Sequence, residues 1–309
     1  MSPERETGEG VAVAIACWNE AATIAQVVAA FQKALPRASV NVFDNDSDDG
    51  SADLARGAGA TVHRVRKRGK GQVVRAILDT LEADAVVIVD GDMTYPAENV
   101  VDLLAPLRRG DANMVVGERV TDADPEALRS LHRFGNRVIV AIINLMFRTR
   151  YRDVLSGYRA FDRRFVESVP VLTSGFEIEA ELTVRALDEG MVVLEVPIPY
   201  RSRPAGSASK LRSFHDGYRI LVTAAVLLRD HYPLRVFGGL GILLLFVALI
   251  AAILRLLGSD LVSPALLSNV MLLCAPLGLF SLGIGLTLNT VTTRFREMSQ
   301  IARRSRRNG

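Results

Sequence analysis

Asp84–Pro96 reads DAVVIVDGDMTYP. From Ala85 to Val89 the run is apolar and mostly β-branched, without the polar alternation of a half-buried strand. It reads as a strand covered on both faces, the kind found in parallel sheets. The strand ends on Asp90-Gly91-Asp92. Residues i and i+2 of an extended chain point the same way, so the two carboxylates share one side. They repel each other unless solvent or a cation lies between them. A hard divalent ion that also takes phosphate oxygens, Mg2+ or Mn2+, answers that need. The bland alternative is an acidic strand-to-turn loop.

Outward from this stretch the same grammar repeats. Val11–Cys17, Val40–Phe43, Ala112–Gly117 and Val192–Tyr200 are further strand candidates, with helical segments such as Ala22–Ala34 and Gly71–Leu81 between them. Apolar strands separated by helices predict an α/β fold with a mostly parallel sheet. Ligands of such sheets bind beyond the carboxyl ends of the strands. At the first of these ends lies IACWNE (Ile15–Glu20), where Asn19 can cap a helix and Glu20 falls in its first turn. At the second lies FDNDSDDGS (Phe43–Ser51), where Asp44 can accept hydrogen bonds from a base or ribose. RVRKRGKGQVVR (Arg64–Arg75) lacks the GxxxxGK[ST] of a P-loop. Its glycines and Lys70 either line a diphosphate site at a helix N-terminus or form a solvated basic turn.

Composition sets outer limits. The 309 residues are 49% hydrophobic, which excludes disorder, and the net charge of +3 is not a nucleic-acid-binding balance. Cys17 and Cys274 form no disulfide framework, and the four histidines lack zinc-ligand spacing. Met1–Gly10 is polar and does not read as a signal peptide. Val236–Leu254 and Leu261–Thr293 carry no charge. Each can cross a hydrocarbon core, which takes roughly 20 residues. Arg229 and Arg235 precede this hairpin, and Arg294, Arg296, Arg303, Arg304, Arg306 and Arg307 follow it. Basic outer flanks predict both to be cytoplasmic, with the Gly258–Asp260 turn on the far side. Val138–Phe147, rimmed by Arg133, Arg137, Arg148 and Arg150, and Tyr218–Leu228 suit helices lying in the headgroup region. For the former, a core helix is the alternative. Gly278, Gly283 and Gly285 offer small residues for homo-oligomer contacts.

IACWNE, FDNDSDDGS and DGDMTYP together resemble the family 2 glycosyltransferases with the GT-A fold, with Ala16 for the usual Pro and Trp18 for Tyr. RFGNR (Arg133–Arg137), DVLSGYRAFDRRFV (Asp153–Val166), GFEIEAELTVRAL (Gly175–Leu187) and RPAGSASKL (Arg203–Leu211) resemble its polyprenyl-phosphate branch. That branch holds dolichol-phosphate mannose synthases and undecaprenyl-phosphate glucosyltransferases. The resemblance implies a cytoplasmic GT-A catalytic domain over 11–211, after a polar tail at 1–10, with an interfacial helix at 130–148. An amphipathic juxtamembrane helix at 212–235, two transmembrane helices over 236–293 and a basic cytoplasmic tail at 294–309 complete the expected chain.

The implied reaction is metal-dependent, inverting transfer of a sugar from a donor of the UDP-glucose or GDP-mannose type to a polyprenyl monophosphate in the cytoplasmic membrane. Carried onto this chain, the donor contacts are Ala16, Trp18, Asn19, Glu20, Asp44, Lys70, Asp90, Gly91, Asp92 and Arg203, with the metal on Asp90 and Asp92. Trp18 either stacks on the base or packs in the core. The acceptor-phosphate contacts are Arg119, Arg133, Arg137, Arg203 and Lys210. Asp92, Arg119, Arg133 and Asp153 are the catalytic set, Asp153 being either a general base or the residue that orients an arginine. Glu177, Glu179 and Glu181 are not separable by sequence. Two other functions compete: transfer to a hydroxyl-bearing lipid, which demands a true base, and an inactive membrane scaffold, against which Asp90 and Asp92 speak.

Overall fold

A computed structural model of the chain describes residues 8–120, 128–169, 178–203, 222, 226, 229, 232–258 and 263–307. The chain divides into two compact units, Met1–Ile220 and Leu221–Gly309. In the first, the elements follow as β1 (Val11–Cys17), α1 (Ile24–Ala34), β2 (Ser39–Asp44), α2 (Ser51–Gly57), β3 (Thr61–Arg64), α3 (Lys70–Thr80), β4 (Ala85–Asp90), α4 (Val100–Arg109), β5 (Met114–Val120), α5 (Leu128–Phe147), β6 (Arg159–Asp162), α6 (Arg163–Ser168), α7 (Ile178–Asp188) and β7 (Val193–Pro199).

The strands form one sheet in the order β3-β2-β1-β4-β6-β5-β7. All are parallel except β6, which runs against both neighbours. The unbroken apolar character of β1 and β4 follows from this placement. Val13, Ile15, Val87 and Val89 pack on one face with Ile24, Val28 and Phe31 of α1 and Leu103 and Leu104 of α4. Ala12, Ala14, Val86 and Ile88 pack on the other with Val73, Val74 and Ile77 of α3 and Ile178 and Leu182 of α7. Both faces lie under helices, so neither can afford polar alternation. The parallel register brings strand ends together: Ala16 pairs with Asp90 and Cys17 with Asp44. Because β6 is reversed, its first residue, Arg159, arrives at the edge where the other strands finish.

Three expectations shift. β3 and β6 escape a pattern reading because TVHR is a short, half-exposed edge strand and RAFD opens on an arginine. α1 starts at Ile24 with Thr23 at its N-cap and no side-chain capping bond, so Asn19 caps no helix. Along α5, Ile139, Val140, Ile143 and Met146 are buried, whereas Arg137, Ala141 and Leu145 are exposed. That helix gives one face to the core and leaves a stripe with an apolar middle outside.

In the second unit a π-helical turn, Leu234–Gly238, leads into a helix over Gly239–Leu256, and a longer helix spans Pro264–Arg307. The segments Leu234–Leu256 and Pro264–Arg294 are long and apolar enough to cross a membrane. Glycines let them touch. A Cβ on Gly241 would sit 2.8 Å from Gly278 O, and one on Gly278 would sit 2.9 Å from Leu245 Cγ. Gly285 faces Gly238 N in the same way at 3.1 Å. Gly278 and Gly285 therefore serve the contact inside the hairpin, while Gly283 has open space before it.

Candidate active site

The ends of β1 and β2 build one wall. Asn45 N donates to Cys17 O at 2.8 Å and extends the pairing past the strands. Asn19 adopts a left-handed backbone, φ 53°. Its Nδ2 donates to Asp48 Oδ1 at 2.7 Å, and its Oδ1 accepts from Asp48 N at 3.0 Å. Glu20 is buried, and its backbone N–H donates to Ser51 Oγ at 2.8 Å. Trp18 lies half-buried under the Arg68 guanidinium, 5.2 Å from the ring centroid. Asp44 is buried, and its Oδ1 has no hydrogen-bond partner among the described residues. A buried acceptor left unsatisfied is costly, so this oxygen suits a hydroxyl or N–H supplied from outside the chain. Burial, with help from the Asp44 charge, pushes the Cys17 thiol up to about 12, which leaves it an inert core group.

The next wall holds the charges. Asn45 clamps the basic loop, with Nδ2 donating to Val65 O and Lys67 O and Oδ1 accepting from Gly69 N at 2.8 Å. That bond sets the start of α3 and hence Lys70. Lys70 Nζ lies 2.8 Å from Asp90 Oδ1 and 2.7 Å from Glu179 Oε1. Burial opposes its charge, but the two carboxylates outweigh burial and hold the ammonium above the ordinary lysine range. Asp92 is buried: Oδ1 accepts from Thr94 N and Thr94 Oγ1, and Oδ2 accepts from Arg203 Nη2 at 2.6 Å. Gly91 is required between the two acids. Its N–H donates to Ala16 O at 2.9 Å, a Cβ there would crowd the same oxygen at 3.2 Å, and its carbonyl accepts from Thr23 Oγ1 at 2.7 Å. This donor set fits a hard divalent cation. Asp90 and Asp92 offer only carboxylate oxygens, which can accept more than one bond, and each faces a protein cation, Lys70 or Arg203; among the described residues no three acidic, histidine or cysteine side chains gather into a metal site.

A second cluster lies at the end of β5. Arg119 Nε and Nη2 donate to Asp153 Oδ2 and Oδ1 at 2.6 and 2.9 Å, and the guanidinium stands 5.6 Å over the Tyr200 ring. Burial would raise the Asp153 carboxyl, but the Arg119 guanidinium and its hydrogen bonds hold it below the usual carboxylate range. Asp153 is anchored from behind as its N–H donates to Glu195 Oε1 at 2.7 Å. Asn136 Nδ2 of α5 reaches Asp153 Oδ1 at 3.4 Å. Between the clusters runs a strap, residues 153–158, and a Cβ on its Gly157 would fall 2.5 Å from Asp90 Oδ2.

The structure thus pairs Lys70 with Asp90 and Arg203 with Asp92 on either side of Gly91, and Arg119 with Asp153 at the end of β5. Ala16, Trp18, Glu20 and Asp44 line the same sheet edge, while the Asn19 amide is engaged with Asp48. Arg137 is exposed on α5. The Arg133 backbone belongs to α5, but its side chain lies outside the described residues, as do Lys210, Glu177 and the tail at 1–7. Of the juxtamembrane stretch, only 222, 226, 229 and 232–235 are described. Glu179 separates from its neighbours by gripping Lys70, whereas Glu181 pairs with Arg185. Thr23, Asn45, Thr94 and Arg159 were not readable as site residues, since their work is bonding to backbone that only the fold brings near.

Comparison with known proteins bears on the family and the fold. The family described as Glycosyl transferase family 2 matches residues 12–169. The glycosyltransferase AglJ of Haloferax volcanii is 37% identical over 236 residues, covering 76% of this chain and 77% of its own length. A dolichyl-phosphate hexose transferase of the same organism is 31% identical over 214 residues, covering 69% of this chain and 92% of its own. Among solved structures, glucosyl-3-phosphoglycerate synthase from Mycobacterium tuberculosis, in complex with Mn2+, UDP and glucosyl-3-phosphoglycerate, superposes with a TM-score of 0.59. It covers 74% of this chain and 83% of that one at 20% identity, a likeness of fold.

Proposed function

The chain belongs to glycosyl transferase family 2, and from that premise we propose that it moves a hexosyl group from a nucleoside diphosphate to the phosphate of a membrane polyprenyl monophosphate. The observation that carries the reading is the pair of charge clusters on one sheet edge. One joins Lys70 and Arg203 to Asp90 and Asp92, and the other is Arg119 set by Asp153. The first suits a diphosphate, the second a phosphomonoester. The name of the dolichyl-phosphate hexose transferase supports the acceptor class. Asp44 and Trp18 would take the nucleoside, with a donor of the UDP-glucose or GDP-mannose type.

Asp90 and Asp92 would hold Mg2+ or Mn2+, which when bound supplies Lewis-acid neutralisation of the leaving diphosphate. Lys70 and Arg203 hold the same charge from the protein side. An acceptor phosphate oxygen attacks the anomeric carbon, the bond to the diphosphate oxygen breaks, and configuration inverts in one displacement. A phosphate anion is already nucleophilic and needs no strong base. Asp153, kept ionised and bonded twice to Arg119, is a poor proton acceptor and a good orienting group. This arrangement favours the phosphate over a hydroxyl acceptor. Arg133 and Arg137 of α5 and Lys210 would add to the acceptor's cation set.

The two apolar helices anchor the chain in the membrane, and the exposed Arg137–Leu145 stripe of α5 suits the headgroup region. The basic residues outside the hairpin support a cytoplasmic side for both of its flanks and for the catalytic unit. The test is a donor screen with purified protein, polyprenyl phosphate and Mn2+, read by the mass of the lipid. A polyprenyl-phosphate hexose is expected with one nucleotide class. A lipid mass unchanged with every UDP- and GDP-sugar would sink the proposal.

A further inference from the structure

Arg159 is 1% exposed, and all its hydrogen-bond partners among the described residues are neutral. Nε donates to Ser156 O at 2.8 Å, Nη2 to Val154 O at 2.5 Å, and Nη1 to Thr183 Oγ1 at 2.9 Å. Burying a guanidinium with no carboxylate bonded to it is expensive, and burial draws its pKa down to about 10 against the nearby charges of Glu179 and Asp153, which favour the cation. Its value must lie in the rigid fork of donors, which can fix several acceptors at once.

Those acceptors are informative. Val154 and Ser156 belong to the strap, which begins at Asp153 in the acceptor cluster and reaches Gly157 beside Asp90 and Lys70. Thr183 stands on α7 one turn beyond Glu179, whose carbonyl it hydrogen-bonds at 3.1 Å. Glu179 in turn grips Lys70 at 2.7 Å. The far end of the strap has its own anchors, Gly157 N on Tyr95 Oη at 3.1 Å and Gly117 N on Tyr158 O at 2.8 Å. At the near end Arg119 and Glu195 hold Asp153, and the guanidinium holds the Val154 and Ser156 carbonyls that follow it.

We propose that Arg159 is a positioning residue that staples the 153–156 strap to α7 and so sets the spacing between the donor cluster and the Arg119–Asp153 pair. The inference rests on the glycosyl-transfer reading for its kinetic consequence but not for its structural one. The experiment compares full-length wild type, Arg159→Lys, Arg159→Met and Thr183→Val in detergent. Hydrogen–deuterium exchange reads the strap. UDP and GDP titrations, followed through Trp18, the single tryptophan, read the donor site. Turnover of the donor and polyprenyl phosphate that wild type accepts reads the chemistry.

In both Arg159 variants the amides of Leu155 and Ser156 should exchange at least ~10-fold faster, with β1 unchanged. The kcat should fall about 100-fold, while the donor KM and the diphosphate midpoint stay within about twofold. Arg159→Lys should not rescue, because it keeps the charge and loses the fork. Thr183→Val should move the same readouts in the same direction by less, and it decides alone if the Arg159 variants do not fold. Unchanged strap exchange, unchanged kcat, or equal losses of kcat and diphosphate binding would each overturn the staple. If wild type makes no lipid-linked sugar, the functional reading falls, and the staple stands or falls on exchange and diphosphate binding.

Discussion

Asp153 shows how one residue's surroundings select among its chemical roles. Its carboxyl is buried, which alone would favour the neutral acid, but the two bonds from Arg119 prevail and lower its pKa. A depressed carboxyl contributes stability that is present above its unfolded value of about 3.9 and lost as pH falls through the folded value. It therefore stays ionised across the neutral range and cannot shape a rate profile there. The acid limb of kcat should sit near pH ~6, the second ionisation of a phosphomonoester. Asp153→Asn should lower the plateau without moving that limb, and a limb that vanishes in the variant would make Asp153 the titrating base. The donor cluster offers two further tests. Asp92→Ala removes a carboxylate partner of Arg203 and, on the proposed function, a metal ligand, and turnover should drop by roughly 1000-fold, as for loss of a strong transition-state charge contact. Gly157→Ala would put a methyl 2.5 Å from Asp90 Oδ2 and 2.9 Å from Lys70 Nζ. It should cut turnover and weaken UDP or GDP quenching of Trp18 while leaving the melting temperature near wild type. Wild-type turnover in Gly157→Ala would show that the Asp90–Lys70 pair need not hold its position.

Among elements, the hairpin gives the sharpest contrast. Gly241 and Gly278 face each other across the seam, whereas Gly283 meets open space. Gly241→Ile should lower the melting temperature in detergent, since close backbone approach is what holds apolar helices together without a hydrophobic driving force. Gly283→Ile should not. If the two variants melt alike, the seam is misplaced. The same glycines mark where pattern reading stops. Small residues in a span announce a close contact, but not whether the partner is the next helix or another chain. The sheet divides similarly. β1 and β4 are legible because burial on both faces leaves no room for polar residues, and the acids at their ends stand out against that background. β6 is not legible, because its arginine points to exposure while the fold buries it on strap carbonyls. Asp90, Asp92 and Lys70 could be read locally, as each sits at a strand or helix end. Glu179 could not, since a grip on Lys70 requires α7 to be packed on α3.

For the whole molecule, the chain divides into Met1–Ile220 and Leu221–Gly309, and on the proposed function the first would carry the chemistry and the second the anchoring. The sheet and both charge clusters lie in the first unit, and its core is built from its own strands and helices. Deleting 236–309 should therefore leave a domain that folds cooperatively and binds UDP or GDP with the wild-type Trp18 response. What it should lose is access to a substrate confined to two dimensions. On the proposed function the two apolar helices would keep the first unit with the lipid, whereas a fragment without them would have to find the bilayer anew at each turnover. On vesicles holding long-chain polyprenyl phosphate the fragment's kcat/KM should fall by about 100-fold or more, as expected when a tether is lost. On a short, soluble isoprenyl phosphate the two forms should turn over alike. Equal activity on vesicles would mean that the first unit binds membrane unaided, through the α5 stripe. Equal loss on both substrates would mean that the second unit contributes to the site itself, and the separation of chemistry from anchoring would fail.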